Sequence, residues 1–264
     1  MKRLLAADFY CLRKSKLFIV LIILSVALPI FTVLLYLALN FLLKATAPED
    51  TTMPTVLFTG KTVISGTFGL SGAIALILPA FSSILVGNDV TSGVLRNKII
   101  IGHTKSKIYF AHLISTIVLH LFIGMIYAGL MTLLSIAIFQ YGTEINGDEV
   151  RSLIYFYIVG MMSYVFAASI VSSFALIFKT PAPAILISIL VCFVFGLLSS
   201  LIGIVDYSSF KYLVYLIPSF ANSQLTMPGG IDTVVFIEGL LSYLIFSAAF
   251  IVIELIIFRK KDIK

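Results

Sequence analysis

The sequence predicts an all-α integral membrane protein with six transmembrane helices, and three observations support this fold class. Of the 264 residues, 60% are apolar and only 11% are charged, whereas about a quarter are charged in soluble domains. Six apolar segments reach the length of roughly 20 residues that a helix needs to cross a bilayer. Basic residues cluster at alternate ends of these segments, as topology signals do. We therefore predict a single transmembrane domain over residues 1–264.

The predicted elements follow one another in a simple order. Residues 1–16 place Leu5, Phe9 and Leu12 at helical spacing among basic side chains, which is typical of an interfacial helix that lies in the membrane surface. Six predicted spans follow this helix, at about residues 17–43, 63–87, 108–139, 152–178, 184–205 and 233–258.

Two of the connections carry structural predictions of their own. Residues 88–107 form the longest polar segment that we place on the cytoplasmic side. Residues 206–232 contain an apolar stretch too short to cross, so we expect a partly re-entrant outer segment before the last helix. At the start of the second span, Gly66, Gly69 and Gly72 are spaced to let a neighbouring helix approach closely.

The distribution of charge predicts the orientation of the chain. With both termini in the cytoplasm, 14 of the 18 Lys and Arg residues fall on the inner side of the membrane. Most acidic residues of the connections fall on the outer side, as the positive-inside rule requires. The net charge of +6 therefore reflects topology in a cytoplasmic membrane, and we expect no binding of nucleic acid.

The motifs for nucleotide binding and catalysis are missing from the sequence. Residues 60–62 read Gly-Lys-Thr like the end of a phosphate-binding loop, but Thr55 stands where that loop needs glycine and no strand precedes it. Residues 70–72 resemble the start of the signature of ATP-binding cassette ATPases, yet they fall inside a predicted span. Nucleophile elbows and metalloprotease motifs are also missing. We expect neither an enzyme nor a cofactor bound by this chain itself.

The intramembrane ionisable residues allow more than one interpretation. His103, His112 and His120 are too far apart for the i, i+4 spacing of a helical metal site, so we expect no metal. His120 falls within a span and is a candidate proton or substrate contact. The alternative is a neutral imidazole that shares a hydrogen bond between helices. Glu238 and Glu254 lie about one turn inside opposite ends of the last span, and we expect their carboxylates to reach the interface.

The strongest functional signal lies in the 88–107 loop. Residues 89–101 read as one amphipathic helix, with Gly102 as a break before a new helical start at Thr104. A cytoplasmic helix with its own apolar face needs a surface against which that face is buried. One interpretation is a helix on the inner leaflet, with its basic residues on anionic lipid. The other is a docking helix for a soluble partner.

The order of these features carries a family resemblance. The chain has a basic interfacial helix, a second span that ends in Asp89 with Gly93 after it, and four further spans. It resembles the permease subunits of bacterial ABC-2 type exporters over essentially its whole length. Many relatives have Glu where Asp89 stands, and Thr-Leu where this chain has Val94-Leu95. Residues 96–109 are most similar to small permeases of Gram-positive bacteria that export, or give immunity to, lantibiotics and phenol-soluble modulins.

The resemblance implies partners and site residues. It implies a subunit that pairs with a second permease, as a homodimer, and docks two copies of a separate ATPase that binds ATP and Mg²⁺. It implies export of an amphipathic substrate such as an antimicrobial or cytolytic peptide. The first and fifth spans form the dimer centre in relatives, which puts Pro29 and Gly196 near it. The coupling helix of the family falls in the 88–107 loop, and the docking residues implied there are Asp89, Ser92, Gly93, Leu95, Arg96, Lys98 and Ile99.

Two rival functions remain open at this point. An ion- or proton-coupled secondary transporter would use His120, Glu238 and Glu254 as coupling groups. A structural membrane scaffold would transport nothing. The first rival predicts transport driven by an ion gradient without an ATPase, and the second predicts no transport.

Overall fold

The computed structural model describes residues 1–46, 58–68, 73–142, 146–178, 180–202, 217–218, 220 and 233–260. Within these ranges the chain is helical and has no β-strand. Six of the helices are long and apolar enough to cross a membrane. These findings confirm the predicted all-α class and the predicted number of membrane-spanning helices.

The helices form a simple series along the chain. The six candidate spans are α2, α4, α6, α7, α8 and α9, and the other helices are shorter than 15 residues. Five of the six spans begin and end within five residues of their predicted limits. In chain order the helices are α1 (Lys2–Lys14), α2 (Lys16–Thr46), α3 (Gly60–Ser65), α4 (Ala73–Thr91), α5 (Val94–Ile100), α6 (Lys105–Phe139), α7 (Gly147–Ile177), α8 (Pro181–Ile202) and α9 (Thr233–Lys260).

The second span differs from its prediction as a continuous helix over residues 63–87. The short helix α3 ends at Ser65, and α4 begins at Ala73 and continues to Thr91. Each glycine within a helix costs about 1 kcal/mol relative to alanine, so the glycine-rich stretch that follows Ser65 favours a break over helix continuation. Of the three glycines in that stretch, Gly69 and Gly72 lie outside the described residues.

Close packing at glycine occurs instead on α6 and α7. The ring of Phe68, which follows α3, sits against Gly160 of α7, where a Cβ atom would collide with it. The same ring packs edge-on or tilted against Phe156 and Tyr164 of α7. Gly124 of α6 faces the ring of Tyr164 in the same manner. Phe68, just after α3, is therefore held to the bundle by aromatic contacts.

Helix α7 occupies the centre of the bundle and packs against α4, α6, α8 and α9. Its buried face carries several serines, and the hydroxyls of three of them donate to carbonyls of the same helix. Ser163 donates to the Gly160 carbonyl at 2.6 Å and Ser173 to the Ser169 carbonyl at 2.8 Å. Hydroxyls that are satisfied in this way can enter an apolar interior at little cost. The outer faces of α2 and α8 are apolar and exposed, as a lipid or protein contact requires.

The two ends of the bundle are built differently. At one end, called the α5 end below, Leu4 of α1, Leu95 of α5 and Phe258 of α9 share one buried apolar cluster. At the other, called the α3 end, the Gly60 amide donates to the Gln140 carbonyl at 2.8 Å. The predicted re-entrant segment lies outside the described residues, apart from 217–218 and 220.

Candidate functional site

The segment between α4 and α6 contains the short helix α5, which a tight turn at Gly93 precedes. The predicted single helix over 89–101 is in fact two, since Asp89 belongs to the last turn of α4 and α5 begins only at Val94. The Ser92 hydroxyl donates to the Asn88 carbonyl at 2.7 Å and so satisfies the end of α4. Gly93 then adopts φ +76°, a left-handed conformation that other residues adopt at a cost. The turn at Gly93 separates α5 from the preceding span.

The exit from α5 also passes through a glycine. Gly102 has φ +97°, and its amide donates to the Ile99 carbonyl at 2.9 Å. Thr104 is the N-cap residue of α6, at the helical start that the sequence predicts. Helix α5 is therefore separated from both neighbouring spans by a glycine with a positive φ angle, Gly93 before it and Gly102 after it.

One face of α5 is buried in the protein itself. Leu95 is only 3% exposed and packs with Leu4 of α1, Val86 of α4 and Ile108 of α6. Ile99 is partly buried against the same cluster. The side chain of Leu95 therefore faces the protein interior, and its place among the docking residues stays a prediction.

Lys98 of α5 reaches into a group of charged residues from three other helices. Its ammonium donates to Asp8 Oδ1 of α1 at 2.7 Å and to Asp89 Oδ2 of α4 at 3.4 Å. It also lies 3.3 Å from Nε2 of His112 on α6. We call Asp8, Asp89, Lys98 and His112 the Lys98 cluster. Asp89 and Lys98 thus make contacts inside the chain, and their docking roles stay predictions.

The Lys98 cluster is incompletely neutralised, and its members are buried (Asp8 and His112) or partly buried (Asp89 and Lys98). His112 Nδ1 lies 3.8 Å from Asp8 Oδ2, and His112 Nε2 lies 3.7 Å from Asp89 Oδ2. Two carboxylates face one ammonium, so the cluster carries one excess negative charge when the imidazole is neutral. Asp8 Oδ2 is buried and has no hydrogen-bond partner among the described residues. Buried charges are costly unless they are fully paired, so this group is poised to accept a further positive charge.

A cavity adjoins the cluster between α1, α4 and α6. Its volume is ≈ 170 Å³, and three of the four cluster residues, Asp8, Asp89 and His112, form part of its wall. The rest of the wall carries both polar and apolar groups, including the hydroxyls of Ser115 and Thr116. The cavity is large enough for several water molecules, each of which needs about 30 Å³.

The opposite face of α5 is exposed. Ile100 and Ile101 are 71% and 76% exposed, and the side chains of Arg96 and Asn97 beside them are exposed as well. We call Val94, Arg96, Asn97, Ile100 and Ile101 the exposed face of α5. Of the predicted docking residues, only Arg96 belongs to this face, while Ser92 and Gly93 form the turn before it.

His120 is fully buried in α6. Its Nδ1 lies 2.9 Å from the Thr116 carbonyl, and its Nε2 lies 3.5 Å from the Ser82 hydroxyl of α4. No carboxylate pairs with His120 in the part of the chain that the structure describes. This geometry is that of a hydrogen bond shared between two helices.

Glu254 occupies an unexpected environment. The prediction that its carboxylate reaches the interface is wrong, because Glu254 is only 1% exposed. Its polar neighbours are the hydroxyls of Tyr109 on α6 and Ser173 on α7. Arg259 does not turn back to it and instead donates from Nε to the Ser106 hydroxyl at 2.9 Å. The packing of α9 against α7 and α6 directs this acid into the bundle.

The α3 end has a charge pair of its own. Lys61 donates to both oxygens of Glu149, at 2.9 and 3.0 Å, which gives this lysine a structural contact in place of the rejected phosphate-loop role. The Tyr141 hydroxyl donates to Glu149 Oε2 at 3.0 Å. Burial and the nearby Glu149 carboxylate raise the pKa of Tyr141 above its ordinary value, so this hydroxyl remains a donor.

Sequence reasoning missed two members of the Lys98 cluster. Asp8 is the only acidic residue before Glu49 and lies in a basic segment. This unusual position could have indicated that Asp8 has a partner elsewhere in the chain. His112 offered no signal, because its partners lie far away in sequence. Comparison with known proteins adds no assignment: no known family matches this sequence, and no curated protein does.

Proposed function

We propose that this chain is the membrane-spanning subunit of an ATP-driven exporter of the ABC-2 type, and that α5 docks a separate ATPase. The observation that carries the proposal is the exposed face of α5, where Ile100 and Ile101 stand side by side beside Arg96. These isoleucines lie between two spans and not within one. Contiguous apolar side chains at such a place mark an interaction surface.

The second support for the proposal is the way in which α5 is held. Lys98 and Leu95 tie its inner face to α1, α4 and α6. A displacement of the exposed face is therefore passed to the second and third spans. In the proposed cycle, ATPases that close on ATP move the docked helices and shift the membrane domain between two conformations. ATP and Mg²⁺ belong to the partner ATPase.

The assembly that we propose contains two permease subunits, as a homodimer, and two ATPase subunits. The exposed apolar faces of α2 and α8 support a second subunit in the membrane, with Phe31 and Leu34 on α2 and Leu190 on α8 among the exposed side chains. Pro29 and Gly196 are turned toward the chain's own interior. The proposed substrate is an amphipathic molecule, in the first place a peptide, moved outward across the cytoplasmic membrane.

The docking proposal is tested by co-expression with a candidate ATPase. We expect a complex that survives detergent and hydrolyses ATP, and we expect its loss in the double variant Ile100→Glu, Ile101→Glu, which puts two charges on the contact. Val150→Glu is the matched control, because Val150 is an exposed apolar residue at the α3 end. A double variant that still forms a coupled complex refutes docking at α5. Leu95→Glu is not a clean test, since Leu95 is buried.

The proposed sidedness can be tested separately. A single cysteine at position 101, in a chain with Cys11 and Cys192 replaced, should be inaccessible to a membrane-impermeant maleimide added to intact cells. The same reagent should label it after the membrane is opened. Labelling on intact cells would place α5 outside and remove the ATPase from the proposal.

The second candidate function is an ion- or proton-coupled transporter. It is favoured by the burial of Glu254 and His120, which are 1% and 0% exposed within their helices, since buried ionisable groups in membranes commonly mark ion pathways. It predicts gradient-driven transport in liposomes that contain this chain alone. That transport should be lost in Glu254→Gln and His120→Ala, while an ATPase-dependent exporter shows none in such liposomes.

A further inference from the structure

We propose that Asp8, Asp89 and His112 form a binding site for a divalent first-row transition metal, and that the Lys98 ammonium is the cation that holds this site when no metal is bound. The proposal concerns this chain alone and does not depend on transport. It rests on the convergence of three ligand residues from three helices, on an unsatisfied carboxylate oxygen, and on the cavity beside them.

The geometry of the three side chains suits a metal. Each residue offers one ligand atom, and these atoms lie within 4.8 Å of one another. Metal to ligand distances of about 2.0–2.2 Å place the ligands of a tetrahedral ion about 3.4 Å apart. The ligand atoms, now up to 4.8 Å apart, must therefore approach one another by up to about 1.4 Å. The departure of the Lys98 ammonium from the centre of the group provides the room for this approach.

The charge of the cluster also favours a divalent cation over the single positive charge of Lys98. Asp8 and Asp89 supply two negative charges, and the ammonium of Lys98 supplies one positive charge. A divalent ion in place of that ammonium makes the site neutral, which removes the cost of an uncompensated buried charge. Asp8 is 8% exposed, and its Oδ2 lacks a hydrogen-bond partner among the described residues. This oxygen is 3.8 Å from His112 Nδ1, so the open acceptor belongs to the site.

The adjoining cavity supplies the remaining coordination positions. With a volume of ≈ 170 Å³, it can hold the water molecules that complete the shell of a three-ligand ion. One imidazole and two carboxylates favour Zn²⁺, Co²⁺ or Mn²⁺ over Mg²⁺ and Ca²⁺, which prefer oxygen ligands. Among the favoured ions, we expect Zn²⁺ to bind more tightly than Mn²⁺.

Metal binding would change the attachment of α5. Lys98 contacts Asp8, Asp89 and His112, and an ion that takes all three leaves it without these partners. The inner face of α5 would then be held by Leu95 and the apolar cluster alone. A consequence for ATPase docking rests on the proposed function, whereas metal binding itself does not.

The test uses the full purified chain in detergent, stripped of metal and free of ATPase. Calorimetric titration with Zn²⁺ should give one site per chain, and Co²⁺ should give visible absorption bands of a nitrogen-containing site. His112→Ala and Asp89→Asn should each weaken Zn²⁺ binding at least tenfold. Lys98→Met should strengthen it at least tenfold, because the competing cation is gone.

Matched controls separate this site from adventitious binding. His103→Ala removes another imidazole at the same end, and Asp148→Asn removes an exposed carboxylate at the α3 end. Neither should change the affinity for Zn²⁺. Loss of binding in His103→Ala, unchanged affinity in His112→Ala, or no binding by the unmodified chain would overturn the proposal. Should Lys98→Met fail to fold, the Co²⁺ bands of the unmodified chain and of His112→Ala decide it.

Discussion

A lysine makes an ion pair between distant parts of the chain at each end of the bundle, and the two lysines differ in their partners. At the α5 end, Lys98 contacts residues from three other helices, and its side chain is 12% exposed. At the α3 end, Lys61 contacts the single carboxylate of Glu149, and the two side chains are 14% and 23% exposed. The first arrangement joins four helices through an unbalanced set of charges, while the second joins two residues in a balanced pair.

The comparison indicates that the contacts of Lys98 at the α5 end respond to a change of charge, while the Lys61–Glu149 pair at the α3 end does not respond as strongly. An unbalanced buried group responds to any added or removed charge, because the low dielectric of the interior strengthens each interaction. A balanced pair carries no excess charge, so an added charge changes its energy less. The α5 end is therefore the place where a partner, an ion or a conformational change can shift the structure at a small energetic cost.

The largest expected effect comes from Lys98→Met. This change keeps an unbranched side chain, one atom shorter than lysine, and leaves Asp8 and Asp89 without the Lys98 cation. We expect the free energy of unfolding to fall by about 3–5 kcal/mol, the usual cost of breaking a buried ion pair from one side. It can be measured by titration with sodium dodecyl sulfate in mixed micelles, with circular dichroism as the readout.

The double variant Asp8→Asn, Lys98→Met is the control for Lys98→Met. It removes one negative charge together with the positive one, so we expect part of the lost stability to return. A double variant less stable than Lys98→Met would show that the cost lies in lost packing and not in unpaired charge.

A smaller effect is expected from Leu95→Ala, which tests the buried face of α5. Deletion of a buried leucine side chain costs roughly 2–5 kcal/mol, and we expect the lower part of that range for a short helix that can settle into the space. In a Cys11→Ser background, the buried thiol of Cys192 reports thermal unfolding through a maleimide dye.

The matched control for Leu95→Ala is Ile100→Ala on the exposed face of the same helix. Exposed positions change stability by less than about 0.5 kcal/mol, so the melting temperature should stay the same. Equal losses in both variants would mean that α5 is not oriented as described.

The smallest effect is expected at the α3 end. Lys61→Met removes a partly exposed pair, and such pairs contribute about 1 kcal/mol or less. The same titration should therefore show a loss several times smaller than that of Lys98→Met. If Lys61→Met lowered the free energy of unfolding as much as Lys98→Met does, the proposed difference between the two ends would be wrong.

Most of the helical framework was predictable because it depends on local composition. The limits of α2, α6, α7, α8 and α9 follow from the apolar segments, since a bilayer demands long apolar helices with internal hydrogen bonds. The interfacial helix was expected over residues 1–16, and α1 covers Lys2–Lys14. Its place in the membrane surface remains a prediction.

The second span and the Lys98 cluster could not be predicted in the same way. The break after Ser65 depends on the competition between glycine and helix propensity and on the packing of Phe68 in the folded bundle. The Lys98 cluster brings Asp8 and Lys98 together across 90 positions of sequence. Local spacing contains no information about such a contact. The amphipathic pattern did identify the region of α5, but not which of its faces points outward.

The glycines on either side of α5 give the helix an unusual mechanical character. Seven residues of α-helix make a segment about 10 Å long, and the backbone leaves the helical conformation at Gly93 and Gly102 on either side of it. The attachment of α5 to the spans therefore depends on its side chains, with Leu95 in the apolar cluster and Lys98 in the charged one, and the second of these contacts changes with charge.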